Sequence, residues 1–155
     1  MGNFEILQKP ITPPEIEWKV QSYTKDKSKT IIVPYVTARC VMDRFDAAFG
    51  VEGWKTEFRE VDGGFICRMS VKVENEWVWK EDGANKTDIE PVKGGISDSL
   101  KRAAHQWGLG RSLYSYPRVM LTGEIRYISS EIIERLSKMV LAINNGEFNK
   151  EVVIL

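Results

Sequence analysis

Hydrophobic residues recur at helical spacing in three stretches of this chain and alternate with polar ones between the first two. Ala38, Val41, Met42, Phe45, Ala48 and Phe49 form one apolar stripe, predicting an amphipathic helix that stops at Gly50. Leu100, Ala103, Ala104 and Trp107 form a second, on a helix that Pro91 opens and Gly108 ends. Ile132, Ile133, Leu136, Met139, Val140 and Ile143 form a third, from Ser130 to Asn144 with Gly146 beyond. In the intervening stretch Trp54, Thr56 and Phe58 share one face of a strand ending at Val61. Phe65, Cys67, Met69, Val71 and Val73 then alternate with Ile66, Arg68, Ser70 and Lys72. Asp62-Gly63-Gly64 has hairpin-turn chemistry, and a polar turn at Glu74-Asn75-Glu76 leads to a third strand, Trp77 to Lys80. Near the start, Thr12, Pro13, Pro14, Glu15 and Glu17 read as a cap, an N1 proline and first-turn acids, predicting a short helix to Gln21. A polar loop, Tyr23 to Lys29, and a short apolar run, Ile31 to Val33, follow it. The expected order is helix, helix, three strands, helix, helix: an α+β fold with helices packed on a three-stranded antiparallel β-meander.

With 155 residues, 43% of them hydrophobic and 28% charged, the chain is expected to be one globular domain, residues 1–155. Two cysteines and a single His105 cannot supply a three- or four-ligand zinc site, and they are too few for a disulfide framework. Cys40 and Cys67 fall on apolar faces and read as reduced core residues. No run approaches the roughly 18 apolar residues of a membrane span, and Met1 to Pro14 lacks a basic region followed by an apolar one. A cytoplasmic protein with no membrane partner is expected. Met1-Gly2-Asn3 opens like a myristoylation signal, but Ile6 stands where that signal has Ser or Thr.

The net charge is zero, which alone argues against a polyanionic partner, yet the charge is sorted along the chain. Ser99 to Gly123 carries Lys101, Arg102, Arg111 and Arg118 with no acid. Trp18 to Met42 carries Lys19, Lys25, Lys27, Lys29 and Arg39 against Asp26, and Asp43 to Asp62 holds six acids. Such sorting suits a basic track, and equally a set of solvated faces. There is no phosphate-binding loop signature, so ATP-driven chemistry is not expected, and His105 has no oriented carboxylate to complete a nucleophilic triad. Glu81, Asp82, Asp88 and Glu90, with Lys80 or Lys86, offer a magnesium nuclease site as an alternative, and their bland reading is a solvated loop. On the helix from Pro91, Lys101 and His105 lie one turn apart and Arg102 falls about 60° from His105, so three nitrogen-bearing side chains share one face. That ridge suits a row of phosphates, a major groove read by a sequence-specific regulator, or water alone.

The run S-D-S-L-K-R-A-A-H-Q-W-G-L-G-R-S-L-Y, Ser97 to Tyr114, and the segment F-G-V-E-G-W, Phe49 to Trp54, stand either side of the β-meander. Together they resemble the Rad fifty-two type single-strand annealing proteins, above all the short phage Sak-like and bacterial DNA-damage-response members. The likeness covers about Pro13 to Tyr114 and leaves 115–155 as a C-terminal helix and tail. It implies a non-enzymatic, ATP-independent protein without a cofactor. Such a protein assembles into rings or arcs, binds single-stranded DNA and anneals complementary strands in recombination and repair. It implies phosphate contacts for Lys101 and Arg102, a place beside the same groove for Tyr35, and a basic first-helix position for Lys19. Arg39 belongs to the same basic segment. His105 stands where eukaryotic members have arginine, and Arg111 matches the phage branch. A single-strand-binding protein or an exonuclease is the class of further partner considered, and no motif selects one.

Annealing demands neutralised phosphates and free base edges, hence a backbone grip from cations on rigid helices. Trp54, Trp77 and Trp79 could instead offer a stacking platform, but the clean alternation around them favours burial under helices or between subunits. Gly94 and Gly95 inside a helix cost about 1 kcal/mol each relative to Ala, which points to a close approach there or to a break. Exposed sheet edges and the apolar end Glu151-Val152-Val153-Ile154-Leu155 predict higher oligomers.

Overall fold

The computed structural model describes residues 3–155, so the Met1-Gly2 start weighed above lies outside the described residues. The chain divides into two compact units, one of residues 1–9 and 37–111, the other of 10–36 and 112–155.

The first unit contains the expected meander. Strands β3 (Trp54–Val61), β4 (Gly64–Val73) and β5 (Glu76–Asn85) form an antiparallel sheet in that order. Phe65, Cys67, Met69 and Val71 on one face of β4 are buried. That face is covered by α3 (Pro91–Gln106), and α2 (Ala38–Phe49) packs against α3 and β3. Thr37 caps α2 by accepting the Cys40 N–H at 3.0 Å, and Gly50 ends it. A short helix absent from the sequence reading, α1 (Asn3–Gln8), buries Leu7 against α2. Arg44, buried in α2, fixes that packing by donating to the carbonyls of Ile6 and Lys9 at 2.8 and 2.9 Å.

Helix α3 is continuous through its glycines. A Cβ on Gly95 would lie 2.6 Å from the Phe65 ring, and one on Gly94 would lie 2.0 Å from Thr87 Oγ1. The close approach inferred from the glycine pair is therefore made by neighbouring side chains of the same unit.

The second unit departs from the sequence reading. Residues Pro13–Glu15 do make the expected turn, with Glu15 Oε1 accepting from the Thr12 N–H and hydroxyl at 3.0 and 2.9 Å, but it is one 3-10 turn. The chain then enters β1 (Ile16–Tyr23) rather than a helix to Gln21. β1 pairs with β2 (Lys29–Val36), β2 with β6 (Arg118–Thr122), all antiparallel, and β6 with β7 (Val152–Ile154) in parallel. Helix α4 (Ser130–Asn144) lays Leu136 and Met139 on the Ile32, Val119 and Leu121 face of this sheet, with Trp18 and Val20 of β1 at its margin. The apolar end of the chain is thus partly used within the fold, as Val153 and Leu155 join this core.

Candidate nucleic-acid interface

Lys80, Arg102 and Arg111 gather at the C-terminal end of α3. A helix end leaves carbonyls without intrahelical donors, and cations there also complement the helix dipole. Gly108 and Gly110, at φ +103° and +79°, turn the chain back on itself. Arg111 can then donate from Nε to His105 O at 2.7 Å and from Nη2 to Gln106 O at 2.8 Å. Lys80 of β5 adds a bond to Gln106 O at 3.3 Å and holds its ammonium 5.1 Å from the Trp107 ring centroid. Trp107 is buried and donates its indole N–H to Met69 O at 3.1 Å, which ties the helix end to the sheet.

Arg102 lies on the same ridge, its side chain 60% exposed, with Nε 3.5 Å from Asp82 Oδ1. Asp82 also accepts from Gln106 Nε2 at 3.0 Å and from the Gly83 N–H at 2.7 Å. Burial opposes its ionisation, yet these bonds and Arg102 hold its carboxyl below the ordinary range. Asp82 therefore orients a guanidinium on a side chain that remains largely exposed.

Two members of the expected ridge are changed by the structure. Lys101 is buried, 8% exposed, and engaged within the fold, so it is not on the solvent ridge with Arg102. The helical-wheel argument assumed one covered face, whereas α3 is packed by β4 and β5 and by α2. Turning away from the apolar stripe is then not enough for exposure. His105 is half-buried, with Nδ1 2.6 Å from Leu109 O. A carbonyl only accepts, so Nδ1 carries the proton and neutral Nε2 has none to donate. Burial lowers the pKa of His105, the Leu109 contact offsets this in part, and the charges of Arg102 and Arg111 lower it further. At neutral pH it is an uncharged member of a cationic ridge.

In the second unit Lys19 and Tyr35 come together. Lys19 stands on strand β1, not on a first helix, with Nζ 5.4 Å from the Tyr35 ring centroid and 3.9 Å from Glu17 Oε2. Tyr35, on β2, is exposed. Arg39 is exposed on the first turn of α2.

The carboxylates of the nuclease alternative are separated. Glu81 and Asp82 are consecutive on β5 and so project to opposite faces of the sheet. Glu81 accepts from Arg59 at 2.8 and 3.0 Å and from Arg68 Nε at 3.2 Å. Arg59, with help from Arg68, lowers its pKa to about 2. Among the described residues no three His, Cys, Asp or Glu side chains are gathered as a metal site.

Comparison with known proteins decides the family. Residues 4–131 match the family described as "Rad52/22 family double-strand break repair protein". The chain belongs to this family. Within it, the chain is similar to the single-stranded DNA-binding protein DdrA of Deinococcus deserti, 34% identical over 114 residues, which is 72% of this chain and 56% of that protein. DdrA of Deinococcus radiodurans is 30% identical over 114 residues, 72% of this chain and 54% of that protein. The chain thus spans little more than half the length of these relatives. The Rad52/22 match runs from α1 into α4 and so takes in both units and every basic residue considered above. No helix among the described residues is long and apolar enough to cross a membrane.

Lys80, Gln106 and Asp82 were not singled out as parts of the ridge by sequence. Lys80 stands opposite Met69 in the β4–β5 register, which puts it on the helix-covered side of the sheet. That register was the available signal, and it needed β5 to run on to Asn85 rather than stop at Lys80.

Proposed function

We propose that this Rad52/22 family chain binds single-stranded DNA through its phosphates and anneals complementary strands without ATP. The observation that carries this reading is Arg102: a guanidinium held by Asp82 on a helix clamped to a sheet, exposed, and grouped with Arg111 and Lys80. Fixed cations of this kind grip a backbone and leave base edges free to test pairing. The similarity to DdrA, a single-stranded DNA-binding protein by name, supports the same ligand. Within the second unit Lys19 beside Tyr35 offers a phosphate contact of its own, and within the first Arg39 is a further exposed cation. His105 adds charge only at acidic pH.

Assembly into rings or arcs belongs to this reading. β1 and β7 are edge strands of the four-stranded sheet and β3 and β5 of the three-stranded one, and each edge offers unpaired backbone groups to a neighbouring copy. The test is a salt titration of binding to a single-stranded oligonucleotide, with mass by light scattering on the same sample. Each single-strand phosphate neutralised contributes about 0.7 to the logarithmic salt slope, so Lys80, Arg102 and Arg111 should give a slope near −2. A flat salt response contradicts backbone binding, and a monomeric mass at micromolar concentration contradicts assembly.

A further inference from the structure

We propose that the Asp82 carboxylate is an internal stand-in for phosphate that limits the hold of the basic ridge on DNA. It engages Arg102 while no strand is bound and takes the guanidinium back as a strand leaves. The proposal rests on the reading of the chain as a single-strand binder and adds to it a residue that sets how fast the strand is released.

Strand β5 brings the carboxylate to the ridge. In its register with β4, Lys80 opposes Met69 and Asp82 opposes Cys67, so both project from the side of the sheet that α3 covers. Trp77 and Trp79 project from the other side, where they are 41% and 49% exposed instead of buried as their alternation suggests. Asp82 is fixed independently of Arg102. Its Oδ1 accepts the Gly83 N–H at 2.7 Å, and its Oδ2 accepts from Gln106 Nε2 at 3.0 Å. Gln106 in turn offers its carbonyl to Arg111 at 2.8 Å and to Lys80 at 3.3 Å. One residue therefore ties the anion and two of the cations to one helix end, and Arg102 is the third cation. The Asp82 side chain is 25% exposed, within reach of an incoming strand.

Among the bonds to Asp82, the one from Arg102 is the longest. Nε stands 3.5 Å from Oδ1, whereas a charge-assisted bond at its optimum spans about 2.7–2.9 Å. A guanidinium can also meet a phosphate through two parallel N–H donors. A phosphate can thus draw Arg102 off a carboxylate that itself stays in place. The carboxylate is then a fixed anion beside a bound anion, and their repulsion favours the strand's departure. Without DNA the same charge offsets the mutual repulsion of Lys80, Arg102 and Arg111. Both effects have one sign: Asp82 stabilises the free protein more than the complex and so lowers affinity. Annealing makes use of such a limit, because phosphates gripped on one strand must be let go once the duplex has formed.

The experiment follows dissociation of a fluorescent thymidine oligonucleotide from the full chain into an excess of unlabelled strand. Mass and melting temperature are recorded for each protein. Asp82→Asn is nearly isosteric and keeps an oxygen for the Gly83 N–H, and Gln106 can turn its amide to face the new one. It should release the strand about two- to fivefold more slowly than wild type, the range an exposed ion pair contributes, and bind it correspondingly more tightly. Glu76→Gln removes one negative charge from the exposed start of the same strand, roughly 20 Å away at about 3.4 Å per residue, and should leave release unchanged. In an Arg102→Ala background, Asp82→Asn should slow release by less than about twofold, since the partner through which the carboxylate acts is gone.

Release by Asp82→Asn at the wild-type rate overturns the proposal, and faster release would make Asp82 an orienting group for Arg102 and nothing more. Equal slowing in Glu76→Gln overturns it by placing the effect in overall charge, as does a full effect of Asp82→Asn without Arg102. Should Asp82→Asn not fold, Asp82→Ser, which also accepts from the Gly83 N–H, is read by the same criteria. Failure of both to fold overturns the proposal, because the carboxylate would then be a requirement of the fold. A wild type that does not bind the strand removes the functional reading and this one with it. A wild type that binds, with Asp82→Asn releasing the strand normally, removes this one alone.

Discussion

Alanine at Arg102 and alanine at Lys101 should give opposite phenotypes, although the two are neighbours on α3 and both carry positive charge. The Arg102 side chain is 60% exposed and its ion pair with Asp82 spans 3.5 Å. An exposed pair of that kind contributes about 0–1 kcal/mol, and alanine is a good helix former. For a chain of this size the melting temperature should therefore move by no more than about 4 °C. The loss should fall on the ligand. A charge-assisted hydrogen bond contributes about 1.5–3 kcal/mol, so Kd for single-stranded DNA should rise about 10- to 150-fold. The salt slope should become shallower by about 0.7. Lys101 is 8% exposed and engaged within the fold. Truncating it leaves buried groups unpaired at about 1–3 kcal/mol, which lowers the melting temperature by roughly 2–12 °C. Thermal melts and fluorescence anisotropy on both variants decide the matter. Normal DNA binding by Arg102→Ala, or a Lys101→Ala protein that melts like wild type yet no longer binds, would refute the division of roles drawn here.

Lowering the pH should act on His105 in two opposed ways. Its folded pKa lies below the ordinary 6.5, so the stability it contributes is complete above that value and is lost as pH falls through the folded pKa; His105→Gln should remove this part of the acid sensitivity in melts between pH 8 and 5. Over the same range the wild type, but not His105→Gln, should gain affinity for single-stranded DNA. Trp107→Ala should cost about 3–5 kcal/mol by emptying a buried position and removing the indole bond to Met69 O, read as a large drop in melting temperature. Neither wild type nor Glu81→Gln should digest DNA in magnesium; digestion by the first alone would restore metal chemistry at β5.

The elements legible in the sequence were those whose periodicity was reinforced by punctuation. Helix α2 announces itself by a stripe between Thr37 and Gly50, and the β3–β4 hairpin by alternation around Asp62-Gly63-Gly64. At strand β1 two true signals conflict. The Thr12 to Glu15 start does form a turn, but Ile16, Trp18 and Val20 alternate with Glu17, Lys19 and Gln21, and that period of two prevails once β2 supplies a partner. β6 and β7 are five and three residues long, too short to show a period at all. At the candidate interface, the residue types were legible and their exposure was not. Lys101 and Arg102 are alike in sequence, and only tertiary packing around α3 buries one and leaves the other in water.

The central claim is that fixed cations on this fold bring complementary strands together without nucleotide or metal. The most direct measurement is the rate at which two complementary oligonucleotides become duplex in the presence of the full chain, with EDTA and no ATP, followed by strand-specific fluorescence. Wild type should accelerate annealing at protein concentrations that saturate the single strand, the acceleration should fade as salt is raised, and Arg102→Ala should show little of it. A wild-type chain that binds the strands yet leaves the rate at its spontaneous value, or that accelerates annealing equally well after Arg102→Ala, contradicts the account.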